Sequence, residues 1–130
     1  MGVPGRASSG IIGREGAQMD NARQLSSDIR EPLSELRERL AGMYGDRLAD
    51  VLLYGSKARG DAEAGSDIDV LVVLRGRVDP GMEVHRTSTL LSDISLRYDV
   101  VISCVFIGES KYASGKGPLV RNVLREGLRI

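Results

Sequence analysis

The sequence predicts a small α/β (α+β) domain, a mixed β-sheet with helices packed on one face. Three observations predict it. Apolar residues recur at helical spacing across residues 21–44. An unbroken apolar run, Val70 to Leu74, has the length and composition of a buried strand. The β-branched run "DVVISCVFI" at residues 99–107 makes another.

The elements follow in order. Residues 1–20 are rich in Gly, Ser and Ala and lack periodicity. They are expected to be a disordered tail, or an over-extended start with Met19 as the true beginning. In the first helix, Leu25, Ile29, Leu33, Leu36, Leu40 and Met43 form one apolar stripe. Pro32 either kinks that helix or opens a second one, and Gly45 suits its C-terminal cap. "ADVLLY" at 49–54 is a short buried strand that Gly55-Ser56 ends. Residues 56–60 are a turn or the first turn of a helix, and 61–66 a polar loop. A second strand covers 67–74. A helix over 81–97 begins near Pro80 and buries Leu90, Leu91, Ile94 and Leu96. After the third strand, Pro118 opens a last helix. Leu119, Val120, Val123 and Leu124 face inward there, and Gly127 stops it.

Bulk properties narrow the function. The chain has 130 residues, enough for one small domain. Its 18 basic and 18 acidic residues leave no net charge, which argues against broad nucleic-acid binding, and no direct DNA binding is expected. No apolar run approaches the roughly 18 residues of a membrane span. The single cysteine, Cys104, has no intramolecular partner and reads as a small buried hydrophobe. A reducing compartment fits, and the expected location is cytoplasmic. Charge is uneven along the chain. Residues 46–70 hold three basic and six acidic groups, whereas 111–130 hold five basic groups against Glu126. Two ordinary solvated surfaces would account for this as well as two binding surfaces.

The chemistry concentrates in "YGSKARGDAEAGSDIDVLVV", residues 54–73. Asp67 and Asp69 lie two apart in a strand, so their carboxylates point to one face. Unpaired at the mouth of a buried strand, they would cost several kcal/mol in desolvation and repulsion. A divalent cation removes both penalties, and Mg²⁺ takes hard carboxylate oxygens together with phosphates. A strand-start pair that simply meets an arginine is the plainer reading of an isolated Asp-x-Asp. Here Gly55 allows close approach to the backbone. The amides around Ser56, with its hydroxyl, can hold phosphate oxygens. Lys57 and Arg59 lie just beyond. A phosphate cradle beside a carboxylate pair is what a metal-bound nucleoside triphosphate requires. Two other motifs fail on inspection. "SGKG" at 114–117 lacks the first glycine and the Ser/Thr of a P-loop, and the acidic run 61–69 lacks the glycine and glutamate of an EF-hand. His85, the single histidine, is expected at the surface or in a cap.

Gly55-Ser56, ten residues, then Asp67-Ile68-Asp69 resembles the GS-x10-DxD signature of minimal nucleotidyltransferases in the DNA polymerase β superfamily. The likeness extends through Ala58-Arg59-Gly60 and Ser66, and from about residue 21 to the end, so 21–130 is expected to be the minimal nucleotidyltransferase domain. It implies the polymerase-β-like nucleotidyltransferase fold and Mg²⁺-dependent transfer of AMP from ATP. Family members of this size often act as antitoxins that modify a tyrosine of a HEPN-domain ribonuclease toxin, forming a hetero-oligomer with it. Carried over, Gly55 and Ser56 hold triphosphate oxygens. Lys57 and Arg59 are further candidate phosphate contacts, the alternative for Arg59 being to brace the loop against Asp61 or Asp67. Asp67 and Asp69 bind two Mg²⁺ ions. The third family carboxylate falls to Asp99, the only acid on the third strand, with three roles open: metal ligand and base, a group acting through water, or a strand-start residue alone. Many relatives have it two places later, level with Val101. Two alternatives stay open. One is a non-catalytic antitoxin that neutralises its toxin by occlusion. The other is a small-molecule (antibiotic) nucleotidyltransferase, which usually carries an added acceptor-binding domain.

Overall fold

The computed structural model describes Leu25 and residues 27–60 and 67–130. The expected tail at 1–20, the start of the first helix and the polar loop 61–66 lie outside the described residues.

Helix α1 spans Ser27–Tyr44 and runs through Pro32, at the cost of one backbone hydrogen bond. Ile29, Leu33, Leu36 and Leu40 are buried on its inner stripe. The last stripe position belongs to Tyr44 rather than Met43, which is exposed. A spacing of four from Leu40 keeps Tyr44 on the same side, and its phenol has a partner inside. A short 3₁₀ turn, Gly45–Arg47, leads to strand β1, Leu48–Tyr54. Helix α2, Gly55–Arg59, follows at once. Strand β2 is Ile68–Leu74, and helix α3 is Pro80–Tyr98. Asp79 caps α3 by accepting from the Met82 amide at 3.3 Å, with Pro80 in the first turn. Strand β3 is Ile102–Gly108. Helices α4, Glu109–Ser114, and α5, Pro118–Glu126, precede a two-residue strand β4, Leu128–Arg129. Sequence periodicity gave no signal for α4 or β4, because both are too short to show a period.

The sheet is mixed, in the order β3-β2-β1-β4. β1 pairs antiparallel with β2 and β4, and β2 pairs parallel with β3 across the α3 connection. Strand alternation divides the apolar residues between two faces. Val51, Leu53, Ile68, Val70, Val72, Leu74 and Phe106 join α1 and α3 in the larger core. Leu52, Leu71, Val73 and Ile107 meet Val120 and Val123 of α5 in a smaller one. The two long helices thus cover one face as expected, and α5 adds cover to the other. That second layer explains why Val70–Leu74 is apolar at every position.

Two further features differ from the sequence reading. Leu96 is 84% exposed, since it lies two residues beyond Ile94 and therefore across the helix from it. The buried line of α3 is Glu83, Thr87, Leu90 and Ile94. The third strand also begins at Ile102 rather than at residue 99. Asp99 instead terminates α3 in the left-handed conformation, φ 55°, with its amide donating to the Ser95 carbonyl. Aspartate tolerates this conformation better than most residues.

Polar contacts tie α1 to α3. The Tyr44 hydroxyl donates to Glu83 Oε1 at 2.6 Å, and the carboxylate is buried. Burial, the hydrogen bond and the Glu83 charge all push the Tyr44 phenol far above its usual range. Arg86 lies 3.6 Å from the same carboxylate oxygen. Near the surface, Arg97 donates to Glu35 and Asp93, and Arg39 donates to Asp93. Removing the buried hydroxyl leaves Glu83 short of a donor. Tyr44→Phe is therefore expected to lower unfolding free energy by about 1–3 kcal/mol in urea melts. An unchanged midpoint would show that water replaces the hydroxyl without loss. Cys104 is partly buried against the larger core, and burial pushes its thiol up to about 12. In native protein at pH 8 it should react far more slowly with a thiol reagent than in denaturant; equal rates would mean the thiol is accessible.

Candidate active site

The site forms where β1 ends and β2 begins. Antiparallel register places Tyr54 opposite Asp69, and parallel register places Ser103 beside Asp69 on the other side. The Ile68 amide donates to the Val101 carbonyl at 2.8 Å, closing the sheet at this mouth. Asp69 has the alternation parity of Leu71 and Val73, so its side chain leaves on the face covered by α5. Asp67 precedes the strand by one residue and is exposed.

Gly55 turns the chain from β1 into α2 with φ +75°, a conformation that favours glycine. A Cβ there would stand 2.5 Å from Asp69 Oδ2. The carboxylate thus fills the space that any side chain at position 55 would need. Sequence reasoning assigned that space to a ligand; the fold puts the aspartate into it. The two halves of the signature, more than ten residues apart, meet in direct contact. Ser56, Lys57 and Arg59 follow on α2, with Ser56 and Lys57 half-buried and Arg59 exposed.

The electrostatics of the pair are, among the described residues, those of two carboxylates without a protein counter-charge. The Asp69 carboxyl is held above the usual carboxylate range, first by burial and then by the Asp67 charge. Among the described residues, neither Asp67 nor Asp69 makes an ion pair or side-chain hydrogen bond. The Tyr54 phenol is also raised, first by burial and then by Asp69 and Cys104. A carboxylate pair with hard oxygens, held without a protein counter-charge beside an open glycine turn, fits Mg²⁺. Asp67 and Asp69 are the residues that would hold it.

Asp99 is not brought to the pair in the way its sequence position suggested. The expectation rested on residues 99 and 101 sharing a strand face. Residue 99 is a helix cap outside the strand, so that alternation does not apply to it. Among the described residues, no group of three or more His, Cys, Asp or Glu is placed to hold a metal ion. Val101, where many relatives would have the acid, is 56% exposed. His85 is exposed on α3, as expected.

One residue escaped the sequence reading. Glu126, in the last turn of α5, accepts from the Gly55 amide at 3.2 Å and from Arg59 NH1 at 3.1 Å, both through Oε2. Its one sequence signal was being the single acid among the basic residues of 111–130.

Comparison with known proteins agrees with this geometry. Residues 33–127 match the profile of the nucleotidyltransferase domain, and the chain belongs to that family of enzymes. Two relatives come from Methanocaldococcus jannaschii, each named as a candidate protein adenylyltransferase. One is 35% identical over 96 residues, covering 73% of this chain and 90% of its own. The other is 34% identical over 76 residues, covering 58% and 76%. Among solved structures, a candidate nucleotidyltransferase from Sulfolobus solfataricus aligns with a TM-score of 0.54 at 22% identity, covering 84% of this chain and 85% of that one. A toxin–antitoxin structure with AMP-PNP aligns with a TM-score of 0.52 at 20% identity, covering 72% and 68%. A mutant MntA toxin–antitoxin structure gives 0.52 at 18% identity, covering 73% and 69%. These structural likenesses establish the polymerase-β-like nucleotidyltransferase fold. Among the described residues, no helix is long and apolar enough to cross a membrane.

Two predictions test the contact at the centre of the site. Gly55→Ala should cost about 1–3 kcal/mol through its positive φ and turn the Asp69 carboxylate aside. Mg²⁺ uptake should fall with it; calorimetry that finds uptake intact would remove the contact from the site's requirements. Asp69→Asn should raise the melting temperature at neutral pH. A raised folded-state pKa means the folded chain holds its proton longer than the unfolded chain. Stability is therefore fully present below the unfolded pKa and lost as pH rises through the folded one. The advantage of the asparagine variant should be largest above that range and vanish at acid pH. A pH-independent difference would assign the effect to packing.

Proposed function

We propose that this protein is a Mg²⁺-dependent adenylyltransferase that moves AMP from ATP to a tyrosine hydroxyl of a HEPN-domain toxin, with loss of the hydroxyl proton and release of pyrophosphate, and so acts as its antitoxin. The observation that carries the reading is the seating of Asp69 against Gly55, which makes the glycine-serine turn and the carboxylate pair one site. The names of the archaeal relatives support protein adenylylation. The toxin–antitoxin neighbours support the partner, and AMP-PNP in one of them supports the nucleotide.

In this reading Asp67 and Asp69 hold the metal ions at the start of β2. Bound there, Mg²⁺ would neutralise phosphate charge during displacement. The turn at Gly55 and Ser56 receives triphosphate oxygens on backbone amides and a hydroxyl, while Lys57 and Arg59 supply positive charge alongside. The half-buried seat of Asp69 fixes its rotamer, so the donor is oriented before the acceptor arrives. Asp99, held at the helix cap, acts on the acceptor hydroxyl through water rather than as an inner ligand.

Asp67→Ala and Asp69→Ala should each abolish transfer from labelled ATP while leaving the folded state intact by circular dichroism. Asp99→Ala should reduce transfer far less. Retained transfer in either of the first two variants would defeat the catalytic reading. Occlusion without chemistry is a second reading, favoured by the apolar Val101 at the position where many relatives would have an acid. Mass spectrometry of the partner after co-expression separates the two. A partner heavier by one or more AMP units supports the enzyme, and an unmodified, silenced partner supports occlusion.

A further inference from the structure

Glu126 sits where the proposed function would seat a phosphate. Its Oε2 takes the Gly55 amide hydrogen and the Arg59 guanidinium together. An anionic oxygen bound by one backbone amide and one arginine is also the form of a phosphate contact. The carboxylate is docked, with the Glu126 side chain 18% exposed. Its place in the helix does not itself favour a carboxylate. It stands in the last turn of α5, where the helix dipole disfavours negative charge. The basic residues of the same helix do not compensate: Arg125 donates to Asn122 at 2.6 Å instead, and Glu126 pairs with Arg59 of α2. The Asp69 carboxylate also lies against Gly55. Glu126 is therefore held chiefly by groups that an incoming anion would also engage.

We propose that Glu126 is an internal competitor for the triphosphate. It occupies the Gly55 amide and Arg59 in the nucleotide-free protein, and nucleotide binding displaces it. The inference rests on the nucleotide reading above and adds a residue that sets affinity. In the resting state the carboxylate keeps the turn's amide satisfied and its geometry fixed. On binding, a phosphate oxygen with greater charge replaces it, and the freed carboxylate moves to solvent. Affinity for the nucleotide is thereby lowered by the strength of the contact that must be broken.

The test is calorimetry with Mg²⁺ and AMP-PNP on the full chain and on Glu126→Gln. Glutamine keeps the shape but lacks the charge, and a neutral acceptor makes the weaker hydrogen bond. Binding should tighten about tenfold, with KM for ATP falling and kcat not rising in parallel. Unchanged or weaker binding in a folded variant would overturn the proposal and leave the nucleotide reading standing. Absence of binding in both proteins would remove the nucleotide reading and this inference with it. A second measurement needs no variant. In the native chain, titration with Mg²⁺ and pyrophosphate should move the Gly55 amide and the Glu126 side-chain carboxyl resonances together in NMR spectra. Saturating pyrophosphate binding that leaves the Glu126 carboxyl unmoved would overturn the proposal.

Discussion

Gly55 and Asp69 share a space that only one side chain can occupy. A Cβ on Gly55 would stand 2.5 Å from Asp69 Oδ2, and the backbone there already needs a positive φ. Everything at the site follows from this exclusion. Because position 55 has no side chain, the chain can leave β1, reverse into α2, and pass against a carboxylate from the next strand. Because Asp69 fills the space, it is half-buried, its charge is disfavoured, and its orientation is set by packing. An exposed aspartate would be cheaper for the fold and less well aimed.

The rest of the molecule holds that contact in register. Tyr54 opposite Asp69 is the last pair of the β1–β2 ladder, so a slip of one residue would carry the aspartate to the opposite face. The buried apolar residues of β2 make such a slip costly. Helices α1 and α3 cover one face and are joined by Tyr44, Glu83 and the arginine–carboxylate contacts at their surface. Helix α5 covers the other face and ends with Glu126 on the Gly55 amide. Strand β4 is fastened beside β1 by Arg129, which donates to both oxygens of Asp50. The end of the chain is thus bound to the same strand that delivers the turn.

Much of this was legible locally. Helical spacing in α1 and the apolar run of β2 reflect burial on one side or on both, and burial leaves a pattern in consecutive residues. The glycine-serine turn and the Asp-x-Asp pair were legible because each depends on conformational or charge properties of neighbours in sequence. Exceptions arose where a single step of angle decided the outcome. Met43 and Leu96 are apolar and close to the stripe, yet the helix turns them to solvent. Asp99 lies next to a β-branched run, but a left-handed cap ends α3 there and delays the strand to Ile102.

By itself, then, the sequence determined the class of fold, the strands that flank the site, and the residue types with which the site can work, since these depend on periodicity and on side-chain chemistry. Only the tertiary structure decided which groups touch. Glu126 reaches Gly55 across 71 residues of chain, and Asp69 reaches it through a strand pairing. No local pattern encodes such distances. They arise from how the helices and strands pack against each other, and a shift of one turn or one register would undo them.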